Sequence, residues 1–294
     1  MIGATDTQEG GPTMPRRDTS ALKWLLGATL RNHRKGARKS LRDSADLLGV
    51  SDSKISNMES GRYGQPADEV AKLFAFYGAE SDRVERIIEL IEAEDEGTWW
   101  SPWSRILPEW LRLYSGLEGM ANSVFVYEPL VVHALLQTED YANAVAASAR
   151  RLRPADADQV VQFRMERQRR IFEEPDSLRL HAVLEESVLH RPVGDPRAMR
   201  GQLLNLLKVA ELPNVDLQVI RTDVGVHVGH NGQFTLLGFA DFDDAVYVEL
   251  QEDAVHLHDP AQARAYRMSS MSLRDAALGQ RETASLITSL IKEL

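Results

Sequence analysis

The side chains best placed by type and spacing to do chemistry lie between Ser40 and Arg62. Gly49-Val50-Ser51 reads as a tight turn, with Gly49 allowing the backbone to reverse, Val50 plugging a core and Ser51 capping the helix that follows. That leaves Asp52, Ser53, Lys54 and Asn57 on the outer face of a short helix, three of them in its first turn. Lysine and asparagine are side chains that hydrogen-bond guanine and adenine edges in a major groove, and an aspartate there can accept from cytosine N4. Lys54 and Asn57 are therefore the base-reading candidates. Ser51, with Arg38, Lys39, Ser40, Arg42 and Arg62 around the same helix, completes a set whose cations suit phosphate oxygens.

Two other clusters invite a chemical reading. His227 and His230, His256 and His258, with Glu249 nearby, have donor types that bind metals, but this spacing is no ligand signature, and polar histidines on the open face of a sheet are the plainer expectation. Asp241, Asp243 and Asp244 crowd one turn, where aspartate is favoured for local backbone hydrogen bonds. No glycine-rich phosphate loop, nucleophile elbow or paired catalytic spacing accompanies either cluster. The expectation is a protein without enzymatic activity, metal or other cofactor.

The elements that must hold the first cluster are helical. Apolar residues recur at three- and four-residue spacing from Ser20 (Leu22, Leu25, Leu26, Leu30), and Gly36 stops that helix. Ser40 then stands three residues before Asp43, an analogue of the Ser-x-x-Glu capping box. Leu41, Ala45 and Leu48 line the second helix; Ile55 and Met58 line the third, which ends at Gly61. Pro66 opens a fourth helix to Tyr77. Ser81 opens a fifth to about Glu94, with Val84, Ile87, Ile88 and Ile91 inward and acidic residues on its other faces.

Beyond a break at 97–108 that carries Trp99, Trp100 and Trp103, helices are predicted at 109–122, 128–136, 139–151, 156–174, 179–191 and 196–210. The tryptophans suggest a strap docked between domains, because each ring buries a large apolar area. From Val215 the period changes to two, and about four short strands follow, around 215–219, 234–236, 246–250 and 255–257, before helices near 259–279 and 281–293. The basic run Arg164–Phe172 reads as an exposed helix face or as a partner for the acidic fifth helix. The expected fold is mainly α with a smaller β part (α+β). Its parts are a disordered tail (1–19), a five-helix domain (20–96), a Trp-rich linker (97–108) and a larger helical domain with a small C-terminal sheet (109–294).

Charge follows the same division. The chain of 294 residues carries −10, yet residues 16–65 carry +6 and residues 66–294 carry −14. A basic segment ahead of an acidic remainder points to a nucleic-acid-binding module joined to a part with another partner. The absence of cysteine excludes thiolate metal sites, disulfides and thiol catalysis. No apolar run approaches the roughly 18–20 residues of a membrane span. The N-terminal segment has no apolar region of a secretory signal. A cytoplasmic, nucleoid-associated protein with no membrane partner is expected.

Between Leu30 and Gly61 the sequence resembles helix-turn-helix domains of the Xre/Cro-repressor class. The matching residues are Leu30-Arg31, Arg34, Ser40, Ala45, Leu48-Gly49-Val50-Ser51, Ile55, Glu59 and Gly61. The resemblance implies that Arg34 and Glu59 form a structural pair. It also implies a homodimer on double-stranded operator DNA, since one short recognition helix reads few bases. Leu41 stands where the class often has a phosphate-binding glutamine, and Ser44 where leucine is usual, which predicts a weakened core contact.

The remaining motifs, among them TWWSPW, LPEWLRLYSGLEGMA, YEPLVVHALLQTEDYANAV, RMERQRRIF, VDLQVIRTDVGVHVGHNGQFTLLGF and VYVELQEDAVHLHD, resemble the C-terminal domain of actinobacterial antitoxin-like regulators, including WhiJ-like proteins. His133-Ala134 replaces the Pro-Gly usual there. This resemblance implies a transcription regulator whose C-terminal domain binds a signal or a small protein encoded nearby. Two alternatives stay open: an antitoxin-like protein that mainly sequesters such a partner and regulates its own gene, and a one-component regulator that senses a small ligand or metal.

Overall fold

The computed structural model describes residues 18–93, 98–148, 153–173 and 177–294. The expected disordered tail, apart from its last two residues, and the first residue of the linker lie outside them.

Five helices open the chain: α1 (Thr19–Gly36), α2 (Leu41–Leu48), α3 (Asp52–Glu59), α4 (Ala67–Tyr77) and α5 (Ser81–Glu92). Each of the first three starts at an oxygen-bearing cap. Asp18 accepts from the backbone N–H groups of Ser20 and Ala21, and Ser51 from that of Lys54. Ser40 and Asp43 form a full capping box, the serine accepting from Asp43 N–H at 3.0 Å and the carboxylate from Ser40 N–H at 2.7 Å. Leu25, Leu26, Leu30, Ala45, Ile55, Met58, Val70, Leu73 and Phe74 fill the core between these helices. Ser44 needs no leucine there. Fully buried, it accepts from the Tyr77 hydroxyl at 2.8 Å and donates to Ser40 O at 3.2 Å. The weakened core contact expected at this position is thus replaced by a satisfied polar one.

The rest of the chain is built on a sheet. α6 (Glu109–Met120) leads into β1 (Ser123–Glu128), then α7 (Glu139–Ser148), α8 (Ala157–Phe172), β2 (Arg179–Glu185), α9 (Glu186–His190), α10 (Pro196–Val209) and β3 (Val215–Ile220). β4 (Phe234–Gly238), β5 (Ala245–Glu249) and β6 (Ala254–Leu257) precede α11 (Pro260–Ala276) and α12 (Gln280–Glu293). The strand order is β3-β2-β1-β4-β5-β6, with β1, β2 and β3 parallel and the others antiparallel. The parallel strands are joined through helices, as parallel neighbours must be.

Two of the six strands are not among those predicted. β2 lies wholly inside the expected helix 179–191, and β1 fills the gap between the expected helices 109–122 and 128–136, sharing only residue 128 with the second. Their inner positions are buried on both faces, so they read as unbroken apolar runs (Val-Phe-Val-Tyr, Ala-Val-Leu) in which the period of two is hidden. Residues 129–133 form no helix, and only 134–136 make a 3₁₀ turn.

One face of the sheet (Val124, Val126, Leu180, Ala182, Leu217, Val219, Leu237) joins a core shared with α6, α10 and α12 that continues into the five-helix unit. The opposite face (Phe125, Tyr127, Val183, Phe234, Leu236, Val246) is covered by Ala263 and Leu273 of α11.

The basic run on α8 is corrected in the same way. Arg167 turns inward and grips Glu118 of α6 through two bonds of 2.7 and 2.8 Å, both residues buried. Tyr114 donates to the same carboxylate at 2.7 Å, and Arg170 donates to Ala121 O at 3.0 Å. Burial opposes the charge on Glu118, but the Arg167 guanidinium holds its carboxyl below the ordinary range. Of the four arginines in the run only Arg169 is exposed, and its partners Glu166 and Glu173 lie on its own helix or at its end, not on α5.

Candidate nucleic-acid interface

The α2–turn–α3 unit is held from below. Gly49 ends α2 in the left-handed region, φ 67°, where a side chain would be strained. Gly27 on α1 lets that helix touch the end of α3, since a Cβ there would stand 2.7 Å from Met58 O. Arg34 of α1 closes the contact. Its Nε and Nη2 donate to the two oxygens of Glu59 at 2.5 and 2.8 Å, and its Nη1 donates to Lys39 O at 2.9 Å. The hydrogen bond to Glu59 raises the Arg34 pKa further. Glu59 is buried and Arg34 nearly so, so the pair ties three segments together and offers nothing outward.

On the outer side the sequence-expected residues separate into three groups. Ser53, Arg38 and Arg62 are exposed, with no side-chain bond to any described residue, and Arg38 sits at φ 56° in the turn before α2. Asn57 is half-buried beside them; its carbonyl accepts from the N–H of Arg62 and so places that arginine at the end of α3. A second group is tied within the unit. Lys54 Nζ lies 2.6 Å from Glu69 Oε1 on α4, and Lys39 Nζ sits 4.5 Å from the centre of the Phe76 ring. Arg42, although exposed, lies 3.0 Å from Asp46 and 3.6 Å from Asp52. The last group, Ser40 and Ser51, is engaged as caps.

Two exposed neighbours escape the sequence reading. Ser56 stands one helical turn beyond Asp52 and Ser53, a position the period of α3 marks once the helix is placed. Tyr63, 59% exposed, follows Arg62. Ser53, Ser56, Asn57, Arg62 and Tyr63 thus form an outward set of hydrogen-bonding groups along and just past a short helix.

The interface is fixed to the sheet domain. Trp100 Nε1 donates to the Asp18 carboxylate that caps α1, at 2.5 Å, while Trp99 stacks on Phe163 of α8 and donates to Ser115 O. Asn32 of α1 donates to His258 O at 2.8 Å, and Trp24 packs edge-on against His258. His256 and His258 therefore do share a face, but one buried against the five-helix unit rather than open, and burial lowers the pKa of both. His227 lies elsewhere, 3.0 Å from Glu185. Among the described residues no group of three potential ligands is arranged for a metal ion. The turn aspartates also serve the docking: Asp241 and Asp243 accept from Arg86 and Arg83 of α5, and Asp244 from Arg267 of α11. Their partners are guanidinium groups from other elements, not the local backbone expected from the sequence. No described helix is long and apolar enough to cross a membrane.

Residues 25–87 match the model of a helix-turn-helix domain, and residues 111–289, more than half of the chain, match that of a domain of unknown function, DUF5753. No curated protein and no solved structure matches the chain. The helix-turn-helix domain supports a DNA-binding regulator.

Proposed function

We propose that this chain, which belongs to the DUF5753 family and carries a helix-turn-helix domain, is a sequence-specific transcription regulator of the Xre type that binds operator DNA as a homodimer. The observation that carries the reading is the outward set on α3. Ser53, Ser56 and Asn57 project from a helix whose own ends are capped and whose inner face is clamped by Arg34 and Glu59. Such a helix is stiff enough to lie in a major groove, and Arg38 and Arg62 flank it with no side-chain bond to any described residue. Dimerisation follows from the number of bases one such helix can reach. In this reading the acidic sheet domain receives a partner or signal, in line with the resemblance to WhiJ-like regulators, whose partner would be a small protein encoded nearby.

The test is a gel shift with DNA upstream of the protein's own gene. Asn57→Ala is expected to weaken specific binding about tenfold or more, the value of one bidentate base contact at ~1–3 kcal/mol. Full retention of specific binding by the double variant Lys54→Ala, Asn57→Ala would overturn the assignment of α3. Coexpression and co-purification with the adjacent small open reading frame tests the partner; a chain that purifies without it removes that partner.

A further inference from the structure

The sheet domain holds a partly open cavity of about 210 Å³ between the end of the sheet, α6 and α8. The strand register builds one wall. Tyr127 pairs with Phe234 and Thr235 with Tyr247, which carries Glu128 at the end of β1 and Glu249 at the end of β5 to either side of Gln233, and all three line the cavity. Arg164 of α8 faces them, and Tyr114 and Tyr247, with ring centres 4.1 Å apart, form the apolar side.

The charges on these walls do not balance. Arg167 also reaches the cavity, but Glu118 already neutralises it. His133 is neutral: burial, then Arg167, push its pKa down to about 3, and its Nδ1 accepts from Leu135 N–H. Among the described residues Arg164 donates only to neutral oxygens, Gln137 Oε1 at 3.2 Å and Ala142 O at 3.4 Å. Glu249 accepts from the Tyr247 hydroxyl at 3.0 Å, whereas Glu128 has no side-chain hydrogen bond or ion pair to any described residue. Two carboxylates thus face one guanidinium that no described carboxylate bonds. Burial and the neighbouring Glu249 push Glu128 up to about 8, so near neutrality its carboxyl keeps a proton where a cation would fit.

We propose that this cavity binds a small organic amine in its protonated form, with the ammonium group at Glu128 and Glu249 and the carbon skeleton against the rings of Tyr114 and Tyr247. The carboxylates supply charge-assisted hydrogen bonds, and the aromatic faces attract a cation that has left water. At about 210 Å³ the cavity is smaller than the ~300–1,000 Å³ usual for ligand sites, which fits a compact amine and excludes a peptide. Arg164 in the wall disfavours a divalent metal. The site deepens the reading of the sheet domain as the part that receives a signal and rests on it. α6, which supplies Tyr114, also packs against α1, with Gly116 close to the Asp18 cap.

The test is calorimetry on the full chain at pH 7 with probes of similar skeleton and size: phenethylamine, 2-phenylethanol and 3-phenylpropanoate, with tyramine and hexylamine as further amines. At least one amine is expected to bind saturably at one per chain. Phenethylamine is expected to bind at least tenfold tighter than its alcohol and acid counterparts. Binding should release close to one proton at pH 7, read from heats in buffers of different ionisation enthalpy, because the ammonium displaces the Glu128 proton. Glu128→Gln should weaken binding at least tenfold while leaving the circular dichroism spectrum and the gel shift unchanged. Glu249→Gln, at the rim, should weaken it less and serves if the first variant fails to fold. No saturable amine binding, equal binding of the alcohol or acid, unchanged affinity in both variants, or zinc competing with the amine would each overturn the proposal. Calorimetry needs no DNA, so failure of the operator assay leaves this result intact.

Discussion

The five-helix unit and the sheet domain each contain a carboxylate gripped by arginine through two hydrogen bonds, and they use it differently. In the first, Arg34–Glu59 sits behind α3, and side chains without a side-chain bond to any described residue (Ser53, Ser56, Arg38, Arg62) point outward. In the second, Arg167–Glu118 is sealed beside a cavity, and the groups left without full partners, Glu128 and Arg164, turn inward. One unit directs its polar chemistry to a surface and the other to a cleft between its elements. The same motif can therefore brace an outer helix face or frame a pocket, depending on whether the neighbouring elements are short capped helices or strand ends under a helix.

Breaking the deeper pair should cost most. Glu118→Ala leaves a buried guanidinium uncompensated and is expected to lower stability by ~3–5 kcal/mol, read from denaturant unfolding. Glu59→Ala should cost less, about 1.5–3 kcal/mol, because Arg34 keeps some water access and its bond to Lys39 O. Equal losses would show that the two pairs are not differently buried in solution.

A smaller effect tests the polar core of the first unit. Tyr77→Phe removes the bond to Ser44 and should cost roughly 1 kcal/mol. The serine still donates to Ser40 O, so a loss several times larger would mean that the hydroxyl pair carries more of this core than its geometry indicates.

The inward charge has a pH signature. The folded state holds the Glu128 proton up to about pH 8, while the unfolded chain releases it near the ordinary value of 4.5. Between those values the folded state binds the extra proton, so this contribution to stability is present at low pH and is lost as pH rises through 8. Melting temperatures of Glu128→Gln should therefore gain on the parent as pH rises from 5 to 9. Parallel curves would show that Glu128 is not held in a poorly solvated site.

The smallest expected effect separates tied from free cations on the outer face. Glu69→Ala releases Lys54 and should strengthen DNA binding only a few-fold, mostly as a steeper salt dependence, because the freed lysine adds one phosphate-seeking charge. A loss of binding would show that Lys54 already serves DNA through its position against Glu69.

Much of the first unit is legible in the sequence because its determinants are local. Caps at Ser40 and Ser51, the turn at Gly49, and apolar spacing at Leu41, Ala45, Ile55 and Met58 all act within a few residues of what they specify. The sheet domain is less legible. Strands at 123–128 and 179–185 hide their period because both faces are buried, and the inward row Arg164, Arg167, Arg170 looks like a solvated basic face until α6 is placed against it. Ser44 reads as a defect for the same reason, its partner Tyr77 lying on another helix.

The sequence by itself determined the helix-turn-helix, the basic character of its segment and the change from helices to strands, since capping, turn chemistry and periodicity act over a few residues. Only the tertiary structure decided that Glu118 meets Arg167 across 49 residues, that Glu128 and Glu249 flank one strand end, and that His256 and His258 close against Trp24. Those meetings depend on strand order and helix docking, where the contact is set by which distant segments share a core and by the burial that makes an unpaired charge costly.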